Sequence, residues 1–272
     1  METQPTLPTR AHAALLDRAL QTFRSDERVV AILLGGSLIG GEVDEESDID
    51  LTVVVADEEA DEFSATWRDW LGRIADPVVM SPGPRPDLLT SLTPDGLRLD
   101  VTVERRSEMA TRRRQAVLTL YDPSGVAAGI SVVAPRFEPT PEWLQQNVED
   151  FLRFLDQLNV VVIRHEWIAG IDNAWYLISQ LVDLFAHRNR AVRTSARRVN
   201  ARLTKAQREA IESLPAIRGN ERAIVEVHVA IAELYLPAAK EFYQELGLEW
   251  PHRLEQTVIE HLRRRTGAHL SR

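Results

Sequence analysis

The spacing of hydrophobic and polar positions changes about half-way along this chain. Short apolar runs and alternations, the period of strands, fill much of the first half, whereas steps of three and four dominate beyond Pro141. Val29 to Leu34 is an unbroken apolar run that ends in Gly35-Gly36, which predicts a buried strand entering a turn. From Asp48 to Val55 the chain alternates, with Ile49, Leu51, Val53 and Val55 on one face and Asp48 and Asp50 on the other. Leu97 to Glu104 repeats the pattern: Leu97, Leu99, Val101 and Val103 form an apolar face, and Asp100 lies opposite with Arg98, Thr102 and Glu104. Two helices are expected as covers for these strands. One runs from Ala11 to Phe23 with Leu15, Leu16, Ala19, Leu20 and Phe23 inward, the other from Glu58 to Ile74 with Phe63, Trp67, Trp70 and Leu71 inward. Pro82, Pro84, Pro86 and Pro94 read as an irregular stretch, followed by a further strand over Ala116 to Tyr121.

Past Pro141 the expected elements are helices almost without interruption. Ile168, Ile171, Trp175, Ile178, Val182 and Phe185 recur at helical spacing and are expected to be core, with Glu166, Asn173, Gln180, Asp183 and His187 as the opposite polar stripe. Longer helices are expected at 221 to 246 and 252 to 265, parted by Gly247 and Pro251. The expected fold is therefore an α/β (α+β) domain with a mixed sheet over residues 1–137, then an all-α bundle over residues 138–272.

Composition narrows the class. With 272 residues, 44% of them apolar, the chain can bury one large core or two modest ones. No stretch reaches the roughly 18 apolar residues of a membrane span, and METQPTLPTRAHAALL lacks the basic start and long apolar core of a signal peptide, so a soluble cytoplasmic protein is expected. The absence of cysteine excludes disulfides, thiolate zinc sites and a cysteine nucleophile, and the seven histidines lack paired metal-ligand spacing. Net charge is -9 and unevenly placed: residues 1–136 hold 23 acids against 14 Lys and Arg, leaving 18 of each for residues 137–272. An acidic half repels long nucleic acid and favours cations, including a cationic small substrate. The same acids also serve solubility.

Candidate chemistry concentrates in Gly35-Gly36-Ser37 and in the acids that follow. A glycine turn leading to an acidic strand suits a site that cradles a triphosphate beside a divalent metal. Should the strand of Asp100 pair beside that of Asp48 and Asp50, three carboxylates converge, the donor type that Mg²⁺ takes together with substrate phosphates. A dinucleotide fingerprint does not fit GGSLIGG, and the Gly-Lys-Ser/Thr of a Walker loop is missing. In the second half, His187 to Lys205 holds seven Lys or Arg residues and no acid. Arg197 or Arg198 is the candidate for closing on the phosphates from the helical domain, with Arg105, Arg106 and Arg112 to Arg114 as competitors.

At GGSLIGGEVDEESDIDL and the later LRLDV the chain resembles the nucleotidyltransferase superfamily that includes DNA polymerase beta, and the helical second half makes it similar to the aminoglycoside nucleotidyltransferases. The resemblance implies transfer of a nucleoside monophosphate, with ATP as the expected co-substrate, to a hydroxyl of a small molecule, and an aminoglycoside is the class it suggests. Asp48 and Asp50 would hold the metal, Gly36 and Ser37 would contact the terminal phosphates, and Asp100 would ligate the metal nearest the hydroxyl or accept its proton. Related enzymes use a separate glutamate as base, for which Glu104 and Glu166 are the candidates. The acidic loop Glu42 to Glu46 is compatible with a polycation and equally with a solvated turn. Two other readings stay open: nucleotidylation of a protein or an RNA end through the basic segment, and a non-catalytic nucleotide-binding regulatory module. The sequence is compatible with a monomer or a homodimer.

Overall fold

The computed structural model describes residues 5–39, 43–83, 87–109, 117–130, 138–191 and 199–267. The chain divides into two compact units, Met1–Pro135 and Arg136–Arg272.

In the first unit the elements run α1 (Arg10–Arg24), β1 (Val29–Leu34), β2 (Ile49–Val55), α2 (Ala60–Ala65), α3 (Trp67–Ala75), β3 (Val79–Pro82), β4 (Leu88–Leu92), β5 (Arg98–Arg105) and β6 (Leu118–Tyr121). The six strands form one mixed sheet in the order β3-β4-β5-β2-β1-β6. Among the described residues only β2 and β5 pair in parallel, in a register that sets Asp50 against Asp100, Thr52 against Thr102 and Val54 against Glu104. One face of the sheet carries Ile32, Leu34, Ile49, Leu51, Val53, Leu99 and Val101, and these pack with Leu15, Phe23, Phe63, Trp70 and Ile74 of the helices into the core of the unit. The other face has a smaller apolar cluster of Ala31, Leu33, Val54 and Met109. The acids of β2 and β5 share that second face by strand alternation.

Two sequence expectations are corrected here. The helix expected over Glu58 to Ile74 is broken at Thr66, which leaves helical dihedrals at φ -93°, ψ 18°. The Phe63 carbonyl freed by the break accepts from the Trp70 indole at 3.1 Å and from the Thr66 hydroxyl at 3.1 Å, so the break leaves no buried acceptor stranded. The stretch read as irregular because of its prolines holds β3 and β4. Pro82 is tolerated because β3 is an edge strand, where a missing N–H costs little; Pro84 and Pro86 lie outside the described residues.

The second unit is helical among its described residues, with α4 (Pro141–Asp156), α5 (Leu158–Arg164), α6 (Trp167–Arg188), α7 (Lys205–Glu212), α8 (Glu221–Glu245) and α9 (His252–Thr266). The core-facing stripe of α6 differs from expectation. Ala174, Leu177, Leu181 and Leu184 are fully buried, whereas Ile168 is 84% and Trp175 62% exposed. Two expected polar positions, Asn173 and His187, are buried instead. The inward stripe begins with Gly170, where a Cβ would stand 2.9 Å from Val161 and 3.0 Å from Ile224, so small residues let α5 and α8 approach α6. His187 stacks on Trp143 with ring centroids 3.5 Å apart, and burial lowers its pKa. Asn147, Tyr176, Gln180 and Tyr235 form one hydrogen-bonded chain between helices: Tyr235 donates to Asn147 at 2.6 Å, Asn147 donates to Gln180, and Gln180 donates to Tyr176 at 2.7 Å. No described helix is long and apolar enough to cross a membrane.

Candidate active site on the acidic sheet face

The β1 strand ends in a turn that is locked onto β2. The Gly35 N–H donates to the Asp50 carbonyl at 2.8 Å, and Gly36 follows at φ +68°, a left-handed conformation that glycine adopts without strain. A Cβ on Gly36 would overlap the Asp50 carboxylate, coming 2.9 Å from its Cγ. Asp50 therefore lies against bare backbone, and the turn continues as a short 3₁₀ segment, Gly36–Ile39, that contains Ser37. Glycine is needed here both for its φ and for the space it leaves.

Asp48 is placed by the loop before β2. Ser47 and Asp44 close a small turn in which the Ser47 hydroxyl donates to Asp44 Oδ1 at 3.1 Å and accepts from the Asp44 N–H at 3.1 Å. From α1, buried His12 donates through Nε2 to the Ser47 carbonyl at 2.9 Å, while its Nδ1 meets the Thr9 hydroxyl at 2.7 Å. A carbonyl can only accept, so Nε2 carries a proton and donates. His12 thus anchors the residue next to Asp48. Sequence reading gave it no role, because its partner lies 35 residues away.

Asp100 stands in register with Asp50, on strands that neighbour one another at about 4.8 Å. It is 6% exposed and is gripped by Arg98, whose Nε donates to Oδ1 at 2.9 Å and whose Nη2 donates to Oδ2 at 2.6 Å. The other guanidinium nitrogen is 3.9 Å from Asp48 Oδ2. The Arg98 pKa is raised, first by the hydrogen bonds to Asp100 and then by the charges of Asp100, Asp48 and Asp50. Among the described residues no three His, Asp or Glu side chains stand in metal-holding geometry. The donor chemistry nevertheless fits a hard divalent cation, since carboxylates that already hold a cationic group share one sheet face and Mg²⁺ takes one or two protein carboxylates together with phosphate oxygens.

This arrangement sets carboxylates beside a glycine turn, the donor types that a polyphosphate with its metal would use. The family described as streptomycin adenylyltransferase matches residues 9–265. The chain belongs to that family. It is a nucleotidyltransferase, and its family implies nucleotide and small-molecule substrates. Solved structures similar to this adenylyltransferase-family enzyme include an aminoglycoside 6-adenyltransferase from Bacillus subtilis, at 16% identity and TM-score 0.46 over 91% of this chain and 95% of that one. A nucleotidyltransferase-like protein from Exiguobacterium sibiricum shares 13% identity at TM-score 0.40 over 93% and 88% of the two chains. A CD-NTase from Bradyrhizobium diazoefficiens shares 14% identity at TM-score 0.25 over 95% of each. A comparison with curated proteins returned no match.

The remaining sequence candidates of this family member fall in different places. Glu104 is buried on β5, four residues and thus roughly 13 Å along the strand from Asp100. Glu166 lies in the second unit, exposed at the N-cap of α6, and makes no side-chain cap bond to the helix. Arg197 and Arg198 lie outside the described residues, as do Arg112 to Arg114. Arg105 turns toward α2, donating to the Asp57 carbonyl and to Asp61, both at 2.5 Å. Of the basic segment, Arg188 is paired with Glu241 and Glu245, and Arg190 with Glu138. A cleft of about 720 Å³ between α4 and α9 holds none of the sequence candidates. Within it Arg153 pairs with Asp150, and His261 Nδ1 lies 2.8 Å from Asp156 Oδ1.

Proposed function

We propose that this enzyme transfers AMP from ATP to a hydroxyl of a cationic small molecule of the aminoglycoside type, using Mg²⁺, in the cytoplasm. The observation that carries this reading is the register of Asp50 against Asp100, with Gly36 pressed on the Asp50 carboxylate and Asp48 at the head of the same strand. Asp48, Asp50 and Asp100 would hold the metal, which when bound would offset charge developing on the pyrophosphate leaving group. The N–H groups of Gly36 and Ser37, with the Ser37 hydroxyl, would donate to the terminal phosphates. The acceptor oxygen attacks the α-phosphorus, its bond to pyrophosphate breaks, and the hydroxyl proton passes to a carboxylate. Glu166 is the proposed acceptor of that proton, because Asp100 would be committed to the metal. In this reading the glycine turn and the acids of the first unit bind the nucleotide, and Arg197 and Arg198 are further candidates for contact with its phosphates.

The alternative of modifying a protein or RNA end relied on the basic segment as a docking surface. It loses support from Arg188 and Arg190, whose charges are engaged by acids of their own unit. Incubation with ATP labelled at the α-phosphate, Mg²⁺ and a panel of aminoglycosides and lincosamides tests the proposal. The expected result is label on an aminoglycoside with release of pyrophosphate. Label confined to macromolecules, or to nothing at all, would count against it.

A further inference from the structure

Carboxylates brought to neighbouring positions of a sheet repel one another unless a positive charge lies among them. Here Arg98 provides one. It stands two residues before Asp100 on the same face of β5, and its guanidinium reaches Asp100 through two parallel hydrogen bonds and Asp48 at 3.9 Å. This planar two-point grip matches a carboxylate, and it matches a phosphate equally well. The side chain is 32% exposed, so its head is not locked into the core and can change partners.

A divalent cation bound by Asp100 and Asp48 would meet that guanidinium at close range, cation against cation. The two therefore compete for the same carboxylates, while the triphosphate arriving with the metal offers the guanidinium a new anionic partner. We propose that Arg98 is an exchangeable counter-ion: it neutralises Asp100 and Asp48 in the nucleotide-free enzyme, gives way when the metal enters, and then binds a phosphate oxygen of the nucleotide. This assigns Arg98 as a positioning residue for the metal and the nucleotide, and it rests on the metal-dependent reading proposed above.

The prediction has opposite signs for the two ligands. In the full-length protein, Mn²⁺ binding followed by electron paramagnetic resonance without nucleotide is expected to be on the order of ten-fold tighter in Arg98→Gln than in wild type, because the competing charge is gone. Affinity for a non-transferable ATP analogue with Mn²⁺ is expected to fall by a similar factor. A residue that only braces the sheet would weaken both or neither. Arg98→Lys keeps a charge without the fork and is expected to show a smaller rise in Mn²⁺ affinity with a clear loss in analogue affinity; should Arg98→Gln not fold, these signs in the lysine variant decide the matter. Equal or weaker Mn²⁺ binding by the folded variant overturns the exchange and leaves the metal site standing. If neither wild type nor variant binds Mn²⁺, with or without the analogue, the metal-dependent reading fails and the exchange fails with it.

Discussion

The polar clusters that distinguish the two units are built from different groups. The first gathers charge at one end of a sheet face, where buried Asp100 is paired with the part-exposed Arg98, whose guanidinium also faces Asp48. The second links neutral groups in a chain, Tyr235 to Asn147 to Gln180 to Tyr176, whose first two members are buried, and leaves apolar Ile168 and Trp175 outside. Ionised groups keep contact with water or with a counter-charge because full burial costs several kcal/mol, whereas a satisfied neutral network is tolerated inside a bundle. The comparison separates a cluster built on opposite charges from a network of neutral hydrogen bonds.

Substitutions can break that comparison. The largest effect is expected from Asp50→Asn, which keeps the shape of the side chain over Gly36 but halves its capacity for a cation. Turnover should fall by about 10³-fold, roughly 4 kcal/mol of transition-state stabilisation, with circular dichroism unchanged. Wild-type turnover in this variant would remove the acidic face from the chemistry.

Next in size is an acid effect confined to the second unit. Burial pushes the His228 imidazole down to about 4 from the ordinary 6.5, while its Nδ1 donates to the Ile224 carbonyl at 2.7 Å. Between those values the unfolded chain binds a proton that the folded chain refuses. Stability from this group is therefore complete above about pH 6.5 and is lost as the pH falls toward 4. The loss amounts to roughly 3 kcal/mol by pH 4, at about 1.4 kcal/mol per pH unit. Urea titrations of wild type and His228→Leu across this range should show the wild type losing more. Parallel acid limbs in the two proteins would contradict the assignment.

A middling effect is expected at the turn. Gly36→Ala must adopt a positive φ and push the Asp50 carboxylate aside, so we expect about 1–3 kcal/mol of destabilisation with impaired nucleotide binding. Thermal melts with and without ATP and Mg²⁺ would read both. The smallest effect belongs to Trp175→Ala. As an exposed residue it should change stability by about 0.5 kcal/mol or less, against the roughly 3–5 kcal/mol that a core tryptophan would cost. A large loss in a urea titration would show that its face is covered.

Sequence pattern made some of this legible and hid the rest for identifiable reasons. The strands of Asp50 and Asp100 were readable because a period of two with apolar partners has only one sensible orientation. Their mutual register was not, because pairing between β2 and β5 spans a 42-residue connection with no local signal. Arg98 could be placed on the face of Asp100, but its grip on that residue depends on a rotamer. The α6 helix misled because apolar residues lie around much of its circumference. The larger ones, Ile168 and Trp175, drew attention from a core stripe that starts with Gly170 and Ala174. Size marked the wrong face; close helix approach requires the small residues.

The most direct test of the central claim, that the acidic sheet face supports metal-dependent nucleotidyl transfer, is pyrophosphate release from ATP and an aminoglycoside by chelator-treated protein as Mg²⁺ is restored. The account predicts no release without metal, graded recovery in wild type, and little recovery in Asp50→Asn at any Mg²⁺ concentration. Release that ignores the chelator, or that recovers equally in both proteins, would contradict it.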